Sequence, residues 1–216
     1  MTASYPTGNA VRRAMAVLRD EGPRIFWFKL LGTLGWYRRL ILLERPLAQA
    51  VPDFAARLPI HIDELHESER DAYAAFRAGA EPARLAARFR SGNQCFVVRH
   101  QGRIVSACWA ARGRVRVEFL ECDIQAAAGE VYFFDAFTLP SYRGMGIAPA
   151  LCLHQLRYFR EAGLDRAVRA TAPENEPALR AHAKSGFRPY AVIGRLKIGP
   201  WRRVFHRPCN GSALDR

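Results

Sequence analysis

The chain has few of the residues that form disulfides in small proteins or bind metal ions. Its 216 residues include five cysteines and six histidines. The cysteines are odd in number, and no two of them form a C-x-x-C pair. These facts argue against a disulfide framework or a zinc site, so we expect no metal. Thiols in apolar segments are typical of core residues in a reducing compartment, which predicts a cytoplasmic protein.

Lysine and acidic residues are also scarce. The chain has 33 basic residues, of which 3 are lysine, and 20 acidic residues, so its net charge is +13. Such a surface attracts phosphate groups, an acidic carrier protein or an anionic membrane. No zinc-finger spacing, RNA-recognition signature or dense basic run accompanies this charge. The sequence therefore argues against nucleic acid as a partner.

Residues 130–148, EVYFFDAFTLPSYRGMGIA, carry the most specific pattern of the chain. The apolar first half predicts a buried strand, which Pro140 ends because it cannot donate to a ladder. Gly144 and Gly146 allow a sharp turn, and a helical pattern begins at Pro149. A glycine-rich turn before a helix presents free N–H groups to an anion. The segment therefore predicts a phosphate or pyrophosphate ligand.

Two common phosphate-binding motifs are missing from this loop. A Walker loop requires Lys-Ser or Lys-Thr after the glycines, and neither follows here. The dinucleotide fingerprint G-x-G-x-x-G requires a third glycine, and Pro149 stands in its place. The ligand is therefore expected to be neither a Walker-type nucleotide nor a Rossmann-type dinucleotide.

The loop instead resembles the pyrophosphate arm of the GCN5-related N-acetyltransferases (GNAT), which reads R-x-x-G-x-A and matches residues 143–148. A second segment is similar to another motif of that family. It has Asn175 and Ala178 in N-x-x-A spacing, followed by Gly186 and Phe187. The two motifs occur in the order that the family uses.

The resemblance implies an α/β (α+β) fold with a mixed, mostly antiparallel central sheet flanked by helices. We expect an N-terminal extension with an apolar helical arm over 1–50, an acetyltransferase domain over 51–208 and a tail over 209–216. Alternation around Gln101-Gly102 predicts a hairpin, which residues 114–121 should continue. Further helices are expected over 65–76 and from Pro82, and further strands over 58–62, 166–171, 190–197 and 201–206.

The resemblance also implies where acetyl-coenzyme A, the expected cosubstrate, would bind. The strand over 130–139 would splay from its neighbour beside the loop, which frees backbone groups for the pantetheine arm. A main-chain N–H there would polarise the thioester carbonyl. Asn175 would lie near the thiol end of the coenzyme. The pantetheine contacts are expected at Ala136, Phe137 and Thr138, and the pyrophosphate contacts at Arg143, Gly144, Met145, Gly146, Ile147 and Ala148.

Glu130 is the first candidate for the general base that accepts the amine proton. It begins the strand, and histone-type members of the family place a glutamate at the same distance before their R-G-x-G. Asp135 is the rival, since a charge inside an apolar run should have a partner. Strand alternation places these two carboxylates on opposite faces, so only one can easily face a given substrate. Glu121 and Asp123 are weaker candidates.

His182 is the candidate for the general acid that protonates the leaving thiolate. It shares one helix face with Asn175 and Leu179 through i, i+4, i+7 spacing, and histidine can donate a proton near neutral pH. The family often has tyrosine at this position, so a structural role for the histidine stays open. Tyr190 and Tyr142 are the alternative donors.

An apolar stretch over 25–43 is the second distinctive feature of the chain. Its length would allow a membrane span, but Lys29, Arg38 and Arg39 argue against one. Its aromatic residues and arginines suit a helix in a membrane interface, which would make the protein peripheral at the membrane. The alternative is a helical arm packed on its own domain or on the second subunit of a homodimer.

The sequence therefore predicts an N-acetyltransferase that moves an acetyl group from acetyl-coenzyme A directly to an amine of unidentified nature. Two alternatives stay open. One is an N-acyltransferase that takes a longer chain from acyl carrier protein or acyl-coenzyme A, which the apolar stretch and the basic surface favour. The other is a non-catalytic module that binds acyl-coenzyme A, which gains weight if Glu130 and His182 lie far from the thioester.

Overall fold

The computed structural model describes residues 36–209, which form ten strands and four helices. The helices are α1 (Arg70–Phe76), α2 (Pro82–Arg90), α3 (Ile147–Glu161) and α4 (Glu176–Lys184). The strands are β1 (Tyr37–Pro46), β2 (His61–Glu64), β3 (Gln94–His100), β4 (Arg103–Ala111), β5 (Arg114–Val117), β6 (Cys122–Gln125), β7 (Glu130–Thr138), β8 (Arg166–Thr171), β9 (Arg188–Ile198) and β10 (Trp201–Pro208).

Eight of these strands form one sheet in the order β10-β9-β1-β8-β7-β4-β3-β2. The β7–β8 pair is parallel, and every other neighbouring pair in this sheet is antiparallel. The prediction of a mixed, mostly antiparallel sheet flanked by helices is confirmed. A parallel pair requires a crossover, and helix α3 supplies it on one face of the sheet.

The predicted hairpin of β3 and β4 is confirmed. Gln101 and Gly102 both have positive φ angles, 50° and 76°, which is the backbone of a two-residue turn whose twist matches the strands. The prediction that 114–121 continues this meander is wrong. Strands β5 and β6 form a separate two-stranded sheet instead, and Leu120 in their connection is fully buried. This second sheet packs on the main one.

The helical prediction is wrong for residues 37–46. They form β1, which lies inside the main sheet between β8 and β9. Leu40, Ile41, Leu42 and Leu43 are all buried because both faces of this central strand are covered. A strand that is apolar on both faces shows no alternation, so its sequence is easily read as a buried helix.

The residues around β1 bear on the predicted domain arrangement. Because β1 is paired on both sides, residues 37–46 are part of the same sheet as the chain after residue 51. The rest of the apolar stretch, 25–35, lies outside the described residues, as does the tail after residue 209. Within 36–209, no helix has the length and apolar character that a bilayer crossing requires.

The main sheet separates two hydrophobic layers. One face packs against α3, and its core includes Phe96, Val131, Phe133 and Phe159. The other face packs against α1 and α2 near Trp109, and the small β5–β6 sheet covers it further along. Strand β7 therefore runs between two layers, with helix α3 on one side and α1 and α2 on the other.

Candidate functional site

Strands β7 and β8 separate before either one ends. Their parallel pairing runs from Glu130–Arg166 to Phe133–Arg169, although β7 continues to Thr138. Beyond Phe133, the edge of β7 that faces β8 has no strand to bond. Unpaired backbone N–H and C=O groups at a buried position require other partners. The splay expected from the family resemblance is therefore present in this structure.

A β-bulge in β7 marks the point of separation. Trp109 pairs with Phe134 and Ala107 with Phe137, so two residues of β7 lie opposite one residue of β4. Asp135 is the first of these two residues, and it has a φ of 47°, in the left-handed region. Such a backbone conformation is costly for a residue other than glycine and is typical of functional sites.

A cavity of about 420 Å³ occupies the gap and extends toward α3 and α4. Five of the ten predicted coenzyme residues line this one cavity, as does the candidate acid His182. Because the gap exposes the strand edge and the helix ends together, residues far apart in the sequence line it. They include Ala136, Phe137, Thr138, Ala148, Asn175 and His182.

The glycine loop lies at the start of α3, next to the cavity. Gly144 and Gly146 have φ angles of 78° and 79°, and no side chain caps the helix N-terminus. The first N–H groups of α3 are therefore available to an anion. A β-carbon at Gly144 would meet nothing within 4 Å, whereas one at Gly146 would lie 3.0 Å from the Phe54 ring. The predicted pyrophosphate loop thus leads into a helix N-terminus that no side chain caps.

Arg143 is oriented differently from the rest of this loop. Its side-chain Nε donates to the carbonyl oxygen of Thr138 at 3.3 Å. The guanidinium thus lies back along the end of β7, where the side chain is exposed. Its charge stays close to the loop, while the backbone N–H groups of the loop are the donors that point toward an anion.

Asn175 forms the N-cap of α4. Its side-chain oxygen accepts from the N–H of Ala178 at 3.3 Å, which is why this residue type starts the helix. The side-chain NH₂ is left to face the cavity that Asn175 lines. The predicted position of Asn175 near the thiol end of a coenzyme stays a prediction.

His182 lines the same cavity, but its charge state differs from the expectation. Loss of hydration and the nearby guanidinium of Arg169 lower the pKa of the His182 imidazole to about 3. The ring is therefore neutral at neutral pH. A neutral imidazole can donate a hydrogen bond, but it is not the imidazolium acid that the sequence suggested.

Glu130 does not line this cavity. Its carboxylate bonds Arg166 on β8, with Nε at 2.9 Å from Oε1, and accepts from the N–H of Ala127 at 3.0 Å. Five strand residues separate it from Asp135, a distance of about 16 Å along β7. Glu130 thus joins β7 to β8 in an ion pair and does not line the cavity in the gap, so its role as general base stays a prediction.

Asp135 has the partners that a charge in an apolar strand requires. Arg88 Nη1 lies 2.6 Å from its Oδ2, and Arg77 Nη2 lies 3.3 Å from its Oδ1. Both arginines also stack on aromatic rings of the sheet, Arg77 over Phe137 and Arg88 over Phe134. The carboxylate is 25 % exposed at the bulge. Asp135 is therefore a fixed carboxylate at the opening between β7 and β8.

The weaker candidates lie elsewhere. Glu121 pairs with Arg195, and Asp123 lies 3.4 Å from Arg116 on the small sheet. The Tyr190 ring contacts the guanidinium of Arg166, and Tyr142 packs against His100. None of these four residues lines the cavity in the gap.

A second cavity, of about 470 Å³, lies on the opposite face of the sheet. It is bounded by α1, α2 and the turn between β5 and β6, and it shares Phe134, Asp135 and Ala170 with the first cavity. This cavity could not be predicted from the sequence, because its walls come from five separate segments of the chain. Its charged side chains are Arg77, Arg84, Arg88, Arg116, Glu81, Glu118 and Asp135.

The described residues show no group of three or more histidine, cysteine or acidic side chains arranged to hold a metal ion. The arrangement of the two cavities can support transfer between two bound molecules. One molecule would lie along the open edge of β7 with its phosphates on the glycine loop. The other would reach Asp135 from the opposite face.

Comparisons with known proteins agree with this geometry. The family model described as the acetyltransferase (GNAT) family matches residues 62–187. A GNAT-family structure from Novosphingobium aromaticivorans is 20 % identical with a TM-score of 0.54, and the match covers 80 % of this chain and 66 % of that one. A GCN5-related N-acetyltransferase from Sphaerobacter thermophilus is 16 % identical with a TM-score of 0.54, covering 85 % and 56 %.

The chain thus spans less than two thirds of the length of both structures. Comparison with curated protein sequences found no match. The structural likenesses show the fold, and the family match, which covers more than half of the chain, includes the loop, the bulge and Asn175. This chain belongs to the acetyltransferase (GNAT) family, whose enzymes use acetyl-coenzyme A to acylate amines.

Proposed function

We propose that the protein transfers an acetyl group from acetyl-coenzyme A to an amine acceptor while both molecules are bound. The observation that carries this proposal is the meeting of two cavities at Phe134 and Asp135. The cavity in the gap, beside the glycine loop, takes the thioester. The cavity on the opposite face takes the acceptor, so the two reactants approach from opposite sides of β7.

The thioester is held by groups that the fold leaves unpaired. The N–H groups of Gly144 to Ala148 bind the pyrophosphate, and the open edge of β7 at Ala136, Phe137 and Thr138 bonds the pantetheine arm. A backbone N–H at the bulge polarises the carbonyl of the thioester. Asn175 donates its side-chain NH₂ toward the sulfur.

Asp135 replaces Glu130 as the proposed proton acceptor. The amine nitrogen attacks the thioester carbon, the C–N bond forms, and the C–S bond breaks. The amine proton passes to the Asp135 carboxylate directly or through water, and water protonates the leaving thiolate. A positioned acid or base typically contributes about 10²–10⁴-fold to the rate.

The test begins with binding and then turns to turnover. Isothermal titration of acetyl-coenzyme A should show a single site on the protein. A panel of small amines, amino acids and peptides is then screened for release of coenzyme A. Binding together with acceptor-dependent release supports the proposal, whereas absence of coenzyme binding in the folded protein refutes it.

One observation favours a second candidate, a module that binds acyl-coenzyme A without catalysis. Glu130 lies in an ion pair outside the cavity, and His182 is neutral at neutral pH, which supports a site without these two catalytic groups. This candidate predicts tight coenzyme binding and no release of coenzyme A with any acceptor. It also predicts that Asp135→Asn leaves every measured property of the bound thioester unchanged.

A further inference from the structure

Arg169 lies at the inner end of the cavity in the gap. It is on β8 opposite Phe133, the last pair before the two strands separate. The residue is only 7 % exposed, yet it lines the cavity. One of its terminal nitrogens donates to the sulfur of Cys152 at 3.7 Å, and its guanidinium faces the Phe187 ring at 5.4 Å.

This guanidinium lacks the oxygen partners that a buried charge requires. Its Nε is buried and has no hydrogen-bond partner, and within 36–209 no carboxylate pairs with it. Other buried arginines differ in this respect. Arg45 donates to the carbonyl oxygens of Ser185 and Ala50, and Arg195 pairs with Glu121. An unpaired buried charge is costly, so an anion that enters the cavity would be strongly favoured.

The cavity gives this anion a defined place along the bound thioester. The glycine loop follows the end of β7, so the path from Thr138 back to Phe133 leads away from the phosphates. With the pantetheine arm on residues 136–138, the acyl group is the part that reaches Phe133 and Arg169. The Cys152 thiol accepts from Arg169, and Cys108, Gln155 and His182 line the same cavity.

A guanidinium binds a carboxylate through two parallel hydrogen bonds, and such charge-assisted bonds are strong. An acetyl group ends in a methyl and would leave the guanidinium without a partner. A longer neutral chain would do the same. A short acyl chain that ends in a carboxylate would supply the missing oxygens.

We propose that Arg169 selects the acyl group and that the preferred donor is a coenzyme A thioester of a short dicarboxylic acid. This inference rests on the proposed transfer from a coenzyme A thioester to an amine, and it replaces acetyl with an acyl group that carries a carboxylate. In this proposal, the inner end of the cavity is a subsite for a carboxylate. Neither the glycine loop nor the Asn175 motif of the family specifies such a subsite.

Isothermal titration with coenzyme A, acetyl-coenzyme A and succinyl-coenzyme A tests the inference. Wild-type protein should bind the succinyl thioester about ten- to hundredfold more tightly than the acetyl thioester. Arg169→Met should remove this preference and retain affinity for acetyl-coenzyme A. Arg160→Met, at an exposed arginine on α3, is the matched control and should keep the preference.

The measured affinities distinguish failure of this inference from failure of the proposed function. Equal affinity of the wild type for the acetyl and succinyl thioesters overturns the inference, even if Arg169→Met fails to fold. An equal loss of all three ligands in Arg169→Met also overturns it, because the guanidinium would then act on the shared thiol end. Arg169→Lys, which keeps the charge but not the planar fork, should retain part of the preference. If none of the three ligands binds, the proposed function itself fails.

Discussion

The two halves of β7 have similar apolar sequences and opposite surroundings. In the first half, Val131, Tyr132 and Phe133 are buried, and β8 and β4 pair on either side. In the second half, from Phe134 to Thr138, the partner on one side is gone and the residues are partly exposed. The cause is β8, whose pairing with β7 ends at Arg169. Beyond that pair, the edge of β7 that faced β8 is open.

The same difference explains the two carboxylates of this strand. Glu130, in the paired half, bonds the arginine of the neighbouring strand and joins β7 to β8. Asp135, in the open half, is held by arginines at the end of α1 and on α2 and lies between two cavities. A carboxylate in the paired half contributes to stability, whereas one in the open half is available to a substrate.

The largest expected effect is on coenzyme binding at the open end of β7. Gly144→Asp should weaken binding of acetyl-coenzyme A about a hundredfold or more, because it brings a negative charge to the pyrophosphate loop. A side chain at this position meets nothing within 4 Å, and Asp and Asn adopt its positive φ of 78° more readily than most residues, so the protein should still fold. Isothermal titration measures the loss. Gly144→Asn is the matched control of equal size and should lose much less, and equal losses would contradict the electrostatic argument.

Turnover should distinguish the two carboxylates once an acceptor is known. Asp135→Asn should lower kcat about 10²–10⁴-fold with little change in coenzyme affinity, since it removes a proton acceptor and almost no volume. Glu130→Gln makes the same chemical change in the paired half and should lower kcat less than about threefold. Steady-state kinetics compare the two variants. A larger loss in Glu130→Gln would reverse the assignment.

The free energy of unfolding should depend strongly on Glu130, the carboxylate that is expected to matter little for turnover. Glu130→Ala should lower the free energy of unfolding by about 1–3 kcal/mol, because the charged hydrogen bonds to Arg166 are partly buried. Urea denaturation measures this change. Glu176→Ala removes an exposed ion pair with Arg180 and should cost less than about 0.5 kcal/mol. Equal effects of the two changes would show that Glu130 is not a structural anchor.

The smallest expected effect at neutral pH is that of His182, which changes stability only in acid. Its pKa is lowered to about 3 in the folded protein, so the unfolded chain binds the proton first as the pH falls. Stability from this residue is therefore lost between about pH 6.5 and pH 3. In urea denaturation, the free energy of unfolding of His182→Gln should fall less than that of the wild type as the pH drops through this range. Above pH 7 the two proteins should show the same dependence on pH. The exposed His206→Gln is the control, and an identical response of the two variants would contradict the prediction.

The sequence predicted the parts of the site that depend on local backbone. The sharp turn at Gly144 and Gly146 follows from residue type, and both residues have positive φ angles in the structure. The β3–β4 hairpin was predicted for the same reason. The β1 strand was read as a helix because its two faces are both buried, and only its position in the middle of the sheet decides between the two.

The roles of side chains were harder to predict because they depend on distance across the fold. Glu130 has the spacing before the glycine loop that histone-type members of the family show for a glutamate. In the extended strand it nevertheless lies about 16 Å from Asp135. The low pKa of His182 comes from burial and from Arg169 on a different element. The second cavity depends on how α1, α2 and the β5–β6 sheet meet over β7.

The sequence by itself determined the family, the mixed sheet and the glycine turn before α3, because short motifs act through local backbone geometry. The tertiary structure alone decided which carboxylate faces the gap, how a central strand from the N-terminal part of the chain completes the sheet, and that Arg169 is buried without an oxygen partner. These features depend on packing between residues that are distant in the chain. Burial and the separation of β8 from β7 are properties of the assembled sheet, which no single segment encodes.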